Sequence, residues 1–371
     1  MQSLAWSIIR SVSKLPAGSA PPRRWLPAPA RRDALDDRLF REMQSKLASP
    51  GRCFCSAIKS NPMVETITAI QDLHCHYYMP ILRGSSHRDD AIYKKRLDWE
   101  SDYGVDIADR TETLLEPSYV DDMTCEMLQI FSLKLAKSPV TASASNGSIE
   151  LYGFMAARDE YDLKLNYVFN RGREDPVVVQ EGSLIQMTGP RRGLAFHCDV
   201  LLEFDMRIKN GEKEEDDAQL IDGMSEFRGL LMPWEPTPVR LDGDRGAVEV
   251  SSALARNAVA AIVEVIVVSD VRSGFDLSLS SVISAVEPHE FQLFHGSVGD
   301  WCGERRFGIA VTLAMMHLKF VAGHKGSGGN VKRRCSFRAK INGQVSRRIK
   351  FELASIWVQV TWAAWPYHMF R

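Results

Sequence analysis

The stretch from Val200 to Lys209 constrains the fold more tightly than any other part of the chain. Val200, Leu202, Phe204, Met206 and Ile208 fall on one side of an extended backbone, and Glu203, Asp205, Arg207 and Lys209 fall on the other. Side chains alternate between the two faces of a strand, whereas a helix would spread the same apolar residues around its circumference. The segment therefore reads as a strand with one face in a core and the other in water.

Weaker copies of this pattern occur on both sides of it. Leu133 and Leu135 oppose Ser132, Lys134 and Ala136, and a second strand begins at Ile149, Leu151 and Gly153. Arg158-Asp159-Glu160-Tyr161-Asp162 has the polar chemistry of a turn, and the strand after it, with Leu163, Leu165, Tyr167 and Phe169 alternating, closes at Asn170-Arg171-Gly172. Further candidate strands are Ala247 to Val250, Ala261 to Val268, Phe275 to Leu279, Phe307 to Leu313, His317 to Val321, Phe337 to Ile341 and Ile349 to Trp362. In the last of these, Val358, Val360 and Trp362 oppose Trp357, Gln359 and Thr361. Short strands set off by Gly, Asn and Asp turns, with no helical stretches between them, predict an all-β fold over residues 127–371, an antiparallel β-sandwich or barrel-like domain.

The first third reads differently. Residues 1–32 carry six basic side chains (Arg10, Lys14, Arg23, Arg24, Arg31, Arg32) and no acidic one. Leu4, Ile8, Ile9 and Val12 lie near one face of a short helix, which is the composition of a mitochondrial or plastid transit peptide. The alternative is a disordered Pro/Ala/Arg leader, because Pro16, Pro21, Pro22, Pro27 and Pro29 prevent a long helix. Residues 33–126 read as a poorly ordered connector with one amphipathic helix, Asp33 to Leu47, ended by Ser49-Pro50-Gly51. The seven cysteines have no framework spacing, and Cys125, Cys198 and Cys335 sit within apolar patterns as buried thiols, which suggests a reducing, intracellular compartment. The longest apolar run, Ala258 to Val268, is interrupted by Glu264 and is too short to span a bilayer.

No catalytic residue and no cofactor motif can be read. His295-Gly296-Ser297-Val298-Gly299 lacks the spacing of a nucleophile elbow and reads as a turn. Gly323-His324-Lys325-Gly326-Ser327-Gly328-Gly329 matches no phosphate-binding loop and reads as a flexible hairpin connection. Cys53-x-Cys55 with His74-Cys75-His76 offers four zinc donors on paper, but alternate residues of an extended chain point to opposite sides, so these read as unconnected. Glu212, Glu214, Glu215, Asp216 and Asp217 lack the register of a calcium loop and read as a solvated connection.

One asymmetry of charge remains. Between Glu304 and Glu352 there is no acidic residue, but there are twelve basic ones, among them Arg305, Arg306, Lys319, Lys325 and Lys332. The other seven, Arg333, Arg334, Arg338, Lys340, Arg347, Arg348 and Lys350, are the candidate anion-binding residues. Arg338 and Lys340 alternate with Phe337, Ala339 and Ile341, so a strand there would project its charges from one face, where they could meet RNA or another anionic surface. The competing reading is an ordinary solvated face, balanced by acid elsewhere in a chain whose formal net charge is -1.

Several segments, taken in order, carry a resemblance. They are Leu128-Gln129-Ile130-Phe131-Ser132, Leu151-Tyr152-Gly153-Phe154-Met155-Ala156-Ala157-Arg158-Asp159 and Asn166-Tyr167-Val168-Phe169-Asn170-Arg171. After them come Thr188-Gly189-Pro190-Arg191-Arg192-Gly193, Glu203-Phe204-Asp205-Met206-Arg207-Ile208-Lys209 and Gly246-Ala247-Val248-Glu249. From Met127 to Trp362 the chain resembles a plant family of domains of unknown function, number 6598, abundant in grasses. The resemblance implies an uncharacterised β domain, which in some cereal relatives accompanies a ribosome-inactivating rRNA N-glycosidase domain. That chemistry needs a Glu shortly before an Arg on a helix; Ala156-Ala157-Arg158 lacks the Glu, so no N-glycosidase residue carries over. The expected function is a non-enzymatic interaction module of unknown ligand, with an unidentified protein partner, linked to plant stress or defence; the alternative is RNA or anionic-surface binding through the basic segment 305–350, and a third reading is an rRNA N-glycosidase-related enzyme.

Overall fold

A computed structural model describes residues 77–78, 86–94, 106–113, 122–139, 147–196, 199–228, 235–267, 274–283, 290–298, 304–324, 330–352 and 354–366. All of them belong to one compact unit, Pro62–Arg371. The leader, the Asp33 to Leu47 helix and the Cys53/Cys55/His74/Cys75/His76 set lie outside the described residues.

The described strands run in chain order as β1 (Tyr77–Tyr78), β2 (Asp122–Met123), β3 (Cys125–Lys137), β4 (Ser148–Asp159) and β5 (Asp162–Arg171). Next come β6 (Val177–Gln180), β7 (Leu184–Ile185), β8 (Leu194–Ala195), β9 (Asp199–Ile208) and β10 (Ala218–Arg228). β11 (Thr237–Asp242), β12 (Ala247–Val267), β13 (Phe275–Ile283), β14 (Glu290–Val298) and β15 (Glu304–Thr312) follow. The last are β16 (Met315–His324), β17 (Asn330–Arg338), β18 (Gly343–Lys350), β19 (Ser355–Ala363) and β20 (Trp365–Pro366).

The architecture is all-β. Pairings between these strands are antiparallel, and among the described residues a parallel bridge joins Glu112 to Leu165. The organising strand is β12, whose 21 residues serve two sandwiches in turn. Its first half pairs with β11 and β3, and its second half with β15 and β19. Ala253 and Leu254 are adjacent, yet their side chains enter different cores, as the alternation of a strand requires. The N-terminal core lies between this shared sheet and the sheet β1-β10-β9-β4-β5, where Leu133, Leu135, Phe169, Leu202, Phe204 and Val250 meet. The C-terminal core lies between the shared sheet and β14-β13-β16-β17, with Val263, Phe275, Leu318, Phe320, Val358 and Trp362 at its centre. Asn257 relieves a register shift in β12 by adopting φ 48°, a left-handed conformation that Asn tolerates better than most residues.

Several expectations need correction. The polar face of β9 is not in water: Glu203 is buried against His87 and Tyr93 from the stretch read as a connector, and Arg207 is buried beside its partner Asp205. The turn at Arg158–Asp162 exists, but its charged residues Arg158, Asp159 and Asp162 are buried. The two segments read within 247–268 are one continuous strand. Ile349 to Trp362 is instead the end of one strand and most of another, joined by a tight reversal in which Phe351 N–H donates to the Ala354 carbonyl. Residues 295–298 are part of β14 and not a turn. Gly323 pairs with Asn330 across the β16–β17 hairpin, whose connecting residues 325–329 lie outside the described set.

Candidate functional site

Two charged regions stand out, one buried and one exposed. The buried one begins at His87, which is 1% exposed. Its Nδ1 lies 2.5 Å from Asp222 Oδ1 on β10, and its Nε2 lies 3.5 Å from Glu203 Oε2 on β9. Glu203 also accepts from the Tyr93 hydroxyl at 3.0 Å and from Arg158 Nε on β4 at 2.6 Å. The rest of the Arg158 guanidinium donates to the carbonyls of Leu163, Ile107 and Asp109, while Tyr93 and Phe154 pack edge-on against the imidazole.

This environment sets the protonation states. Burial alone would push the His87 pKa down, but the hydrogen bond to Asp222 and the close carboxylates of Asp222 and Glu203 overcome it and raise it to about 9. Burial opposes ionisation of Glu203 as well, and His87 with Arg158 more than compensates, holding its carboxyl below the usual range. Burial and the Glu203 charge push the Tyr93 phenol up. The ring is thus an imidazolium clamped between carboxylates at neutral pH. Glu203 and Asp222 are fully buried, so the cluster is closed to a substrate, and its effect is to pin residues 86–93 onto the sheet.

In the sequence, Glu203 reads only as a water-facing strand residue and Arg158 only as a turn residue, and nothing singles out His87, Tyr93 or Asp222. The legible signal was weak: Asp222, Ser225 and Glu226 interrupt the apolar residues between Leu220 and Phe227. The acidic loop is exposed from Glu212 to Asp216, but Asp217 pairs with Arg173 at 2.7 Å and accepts from Tyr152 at 2.6 Å. Partial burial would raise its pKa, yet these donors hold it at about 2. Among the described residues no group of three or more His, Cys, Asp and Glu is arranged to hold a metal ion. Burial raises the thiol pKa of Cys125, and that of Cys335 to about 12, which leaves both as inert neutral groups.

The exposed region is the C-terminal basic stretch. All seven candidate anion-binding residues are exposed, and none forms an ion pair with a carboxylate among the described residues. β17 and β18 are the edge strands of the two sheets that face each other across the C-terminal core, and residues 339–342 join them. The candidates divide into three sets. Arg334 and Arg338 alternate with buried Cys335 and Phe337 and so belong to the outer side of β17. Arg348 and Lys350 flank buried Ile349 and belong to the outer side of β18, where Arg348 sits opposite Trp357, itself 38% exposed. Arg333 and Arg347 have core-side parity but stand at the mouth of the sandwich, with guanidinium carbons 6.0 Å from the Phe351 ring centre and 5.7 Å from the Phe337 ring centre. Lys340 lies just past β17, between buried Ala339 and Ile341, which is 37% exposed.

The charges therefore wrap an edge and do not share one strand face. Their main acidic neighbour on the β14-β13-β16-β17 sheet is Glu290, which binds Lys319 at 2.9 Å. Hydrogen bonds from Ser280 and Lys319 keep Glu290 ionised, helped more weakly by Arg334.

Residues 127–360 match the model of a family described as a domain of unknown function, DUF6598. The chain belongs to that family. The match covers most of both sandwiches, the sheet part of the sealed cluster and the basic edge of this chain. No curated protein sequence matches. Two solved structures of human GIVD cytosolic phospholipase A2, one in complex with methyl gamma-linolenyl fluorophosphonate, overlap the DUF6598 chain at 10% identity with TM-scores of 0.22 and 0.24. Each overlap covers 66% of this chain and 33% of the phospholipase, so the chain spans about a third of the length of those proteins. Neither fold nor activity transfers at that overlap.

Proposed function

We propose that this DUF6598 protein is a non-enzymatic interaction module that binds RNA through the arginine-rich edge of β17 and β18. The carrying observation is that seven exposed cations, six on two neighbouring edge strands and Lys340 in the connection between them, have no carboxylate partner among the described residues. Unpaired surface cations gain by meeting phosphates and releasing the counterions condensed on them. The aromatic groups favour a single-stranded nucleic acid over a plain anionic surface. Trp357 stands exposed beside Arg348, and the planar guanidiniums of Arg333 and Arg347 are held at ring faces. Bases stack on such groups with little sequence preference. The non-enzymatic part of the reading rests on the closure of the His87 cluster. A setting in plant stress or defence follows from the family resemblance alone.

The test is a mobility-shift titration with single-stranded RNA, run with a pull-down from plant extract with and without nuclease. Changing Arg333, Arg334, Arg347 and Arg348 to Glu is expected to weaken RNA binding by on the order of a hundredfold, since about four phosphate contacts are lost. The same change is expected to leave the thermal midpoint unaltered, because all four side chains are exposed. Unchanged affinity in that variant, or nuclease-resistant capture of a protein by the same edge, would reject the reading. Ribosome depurination that a point variant abolishes would reject its non-enzymatic part.

A further inference from the structure

Ser336 stands within β17, among the cations of the basic edge, and RNA binding there gives it no role. Alternation along the strand puts it on the outer side with Lys332, Arg334 and Arg338, while Cys335 and Phe337 on either side of it enter the core. Lys332, Arg334 and Arg338 are exposed, and Ser336 is partly exposed. β17 is the last strand of its sheet, so its backbone is paired on one side, to β16.

The surroundings of the hydroxyl are cationic. Arg334 and Arg338 lie two residues away on the same side, about 7 Å along an extended chain. His317 sits directly across on β16, with its Nδ1 2.6 Å from Ser336 Oγ. Two carboxylates lie on the same sheet, and other groups hold both. Glu290 binds Lys319 at 2.9 Å and accepts from Ser280 at 2.5 Å, and Asp276 accepts from Ser297 at 2.5 Å. Burial first, and then the Arg334 charge, push the His317 pKa down. A dianion attached at Ser336 Oγ would turn that repulsion into attraction, because both cations could donate to it.

The residues ahead of this serine suit the enzymes that could modify it. Lys332-Arg333-Arg334-Cys335-Ser336 sets guanidiniums two and three residues before the hydroxyl. Protein kinases that choose substrates by charge take such arginines in acidic subsites along an extended cleft. β17 already presents an extended backbone, and Arg333 and Arg334 have no carboxylate partner to leave among the described residues.

We propose that Ser336 is a phosphorylation site whose phosphate, held by Arg334, Arg338 and His317, closes the basic edge to RNA. The γ-phosphoryl group of ATP is transferred to Ser336 Oγ. Its bond to the ADP oxygen breaks, the Oγ–P bond forms, and the hydroxyl proton passes to the base of the kinase. The product carries about 1.5–2 added negative charges among the seven cations of the edge. The loss of RNA binding rests on the proposed function of that edge; the modification and the seating of its phosphate do not.

The test treats the full chain with ATP and the catalytic subunit of cyclic-AMP-dependent protein kinase, which requires arginines ahead of its serine. Mass spectrometry is expected to place one phosphate on Ser336 and none on the Ser336→Ala chain. Arg333→Ala is expected to slow the transfer about tenfold or more. Ser346→Ala, which removes an exposed serine of β18, is expected to be modified as the parent is. In the phosphorylated chain the His317 imidazole, followed by NMR, should titrate at higher pH than in the parent. RNA affinity should fall about tenfold or more, with a salt slope smaller by about two. Ser336→Ala should keep the parent's RNA affinity before and after kinase treatment. An unmodified native chain, phosphate at another residue, an unshifted His317 titration, or parental RNA affinity in the phosphorylated chain would overturn the proposal. A parent chain that binds no RNA, yet takes phosphate at Ser336 and shows the histidine shift, would reject RNA binding at the edge and support the phosphate site alone, so the two failures are told apart.

Discussion

His87 holds a positive charge at a position water does not reach, and the cost is met by Asp222 and Glu203 on either side of it. The groups facing the ring from the packed elements are those two carboxylates, the Tyr93 hydroxyl and the Phe154 face, with Arg158 on the far side of Glu203. A histidine whose folded pKa lies above its unfolded value binds its proton more tightly when folded. Its contribution to stability is complete below about pH 6.5 and is lost as pH rises through about 9. The size follows from the shift, roughly 3–4 kcal/mol. Urea unfolding at pH 6, 7.5 and 9.5 should show a fall of that order in the parent chain and a much smaller one in His87→Gln. Equal pH dependence in the two proteins would remove His87 from the cluster. The Tyr93 phenol, pushed up by burial, stays protonated throughout this window and does not confuse the reading.

At the scale of elements, periodicity told β9 from a helix and identified which side of it enters the core. It could not identify what covers Glu203 on the other side, because the cover, His87 and Tyr93, lies far away in the chain. The charged turn at Arg158–Asp162 misled for the same reason. A polar side chain with fixed partners reads in sequence like one in water: Asp159 receives both terminal nitrogens of Arg192, at 2.6 and 2.7 Å, and Ala195 N–H at 2.7 Å. The reversal between β18 and β19 was missed because Glu352, Leu353 and Ala354 include no Gly, Pro, Asn or Asp to mark it. Gly308 N–H on β15 donates to the Pro190 carbonyl at 2.6 Å, and this lock between β15 and the Thr188–Gly193 segment gives an element-scale test. Gly308→Ala must displace backbone and not merely a flexible side chain, so a loss of about 1–3 kcal/mol is expected from chemical denaturation. An unchanged unfolding midpoint would contradict the close approach.

For the whole molecule, the all-β class was legible in the alternation of many short segments. The sharing of one long strand by two sandwiches was not. Between the two candidate strands β12 carries Ser251, Ser252, Arg256 and Asn257, which break the apolar pattern, whereas in the fold its two halves are completed by different neighbours. The basic stretch was visible as a run of charge. Its arrangement around an edge, with Trp357, Phe337 and Phe351 interleaved, depends on the pairing of β18 with β19 and the approach of β17, which no local pattern encodes. The account stands on that edge being an electrostatic binding surface, and the salt dependence of RNA affinity tests it most directly. Across increasing potassium chloride, the logarithm of the association constant should fall linearly with the logarithm of salt concentration, with a slope that drops by about one for each edge arginine removed. A slope near zero, or one identical in the parent and the four-arginine variant, would contradict the account.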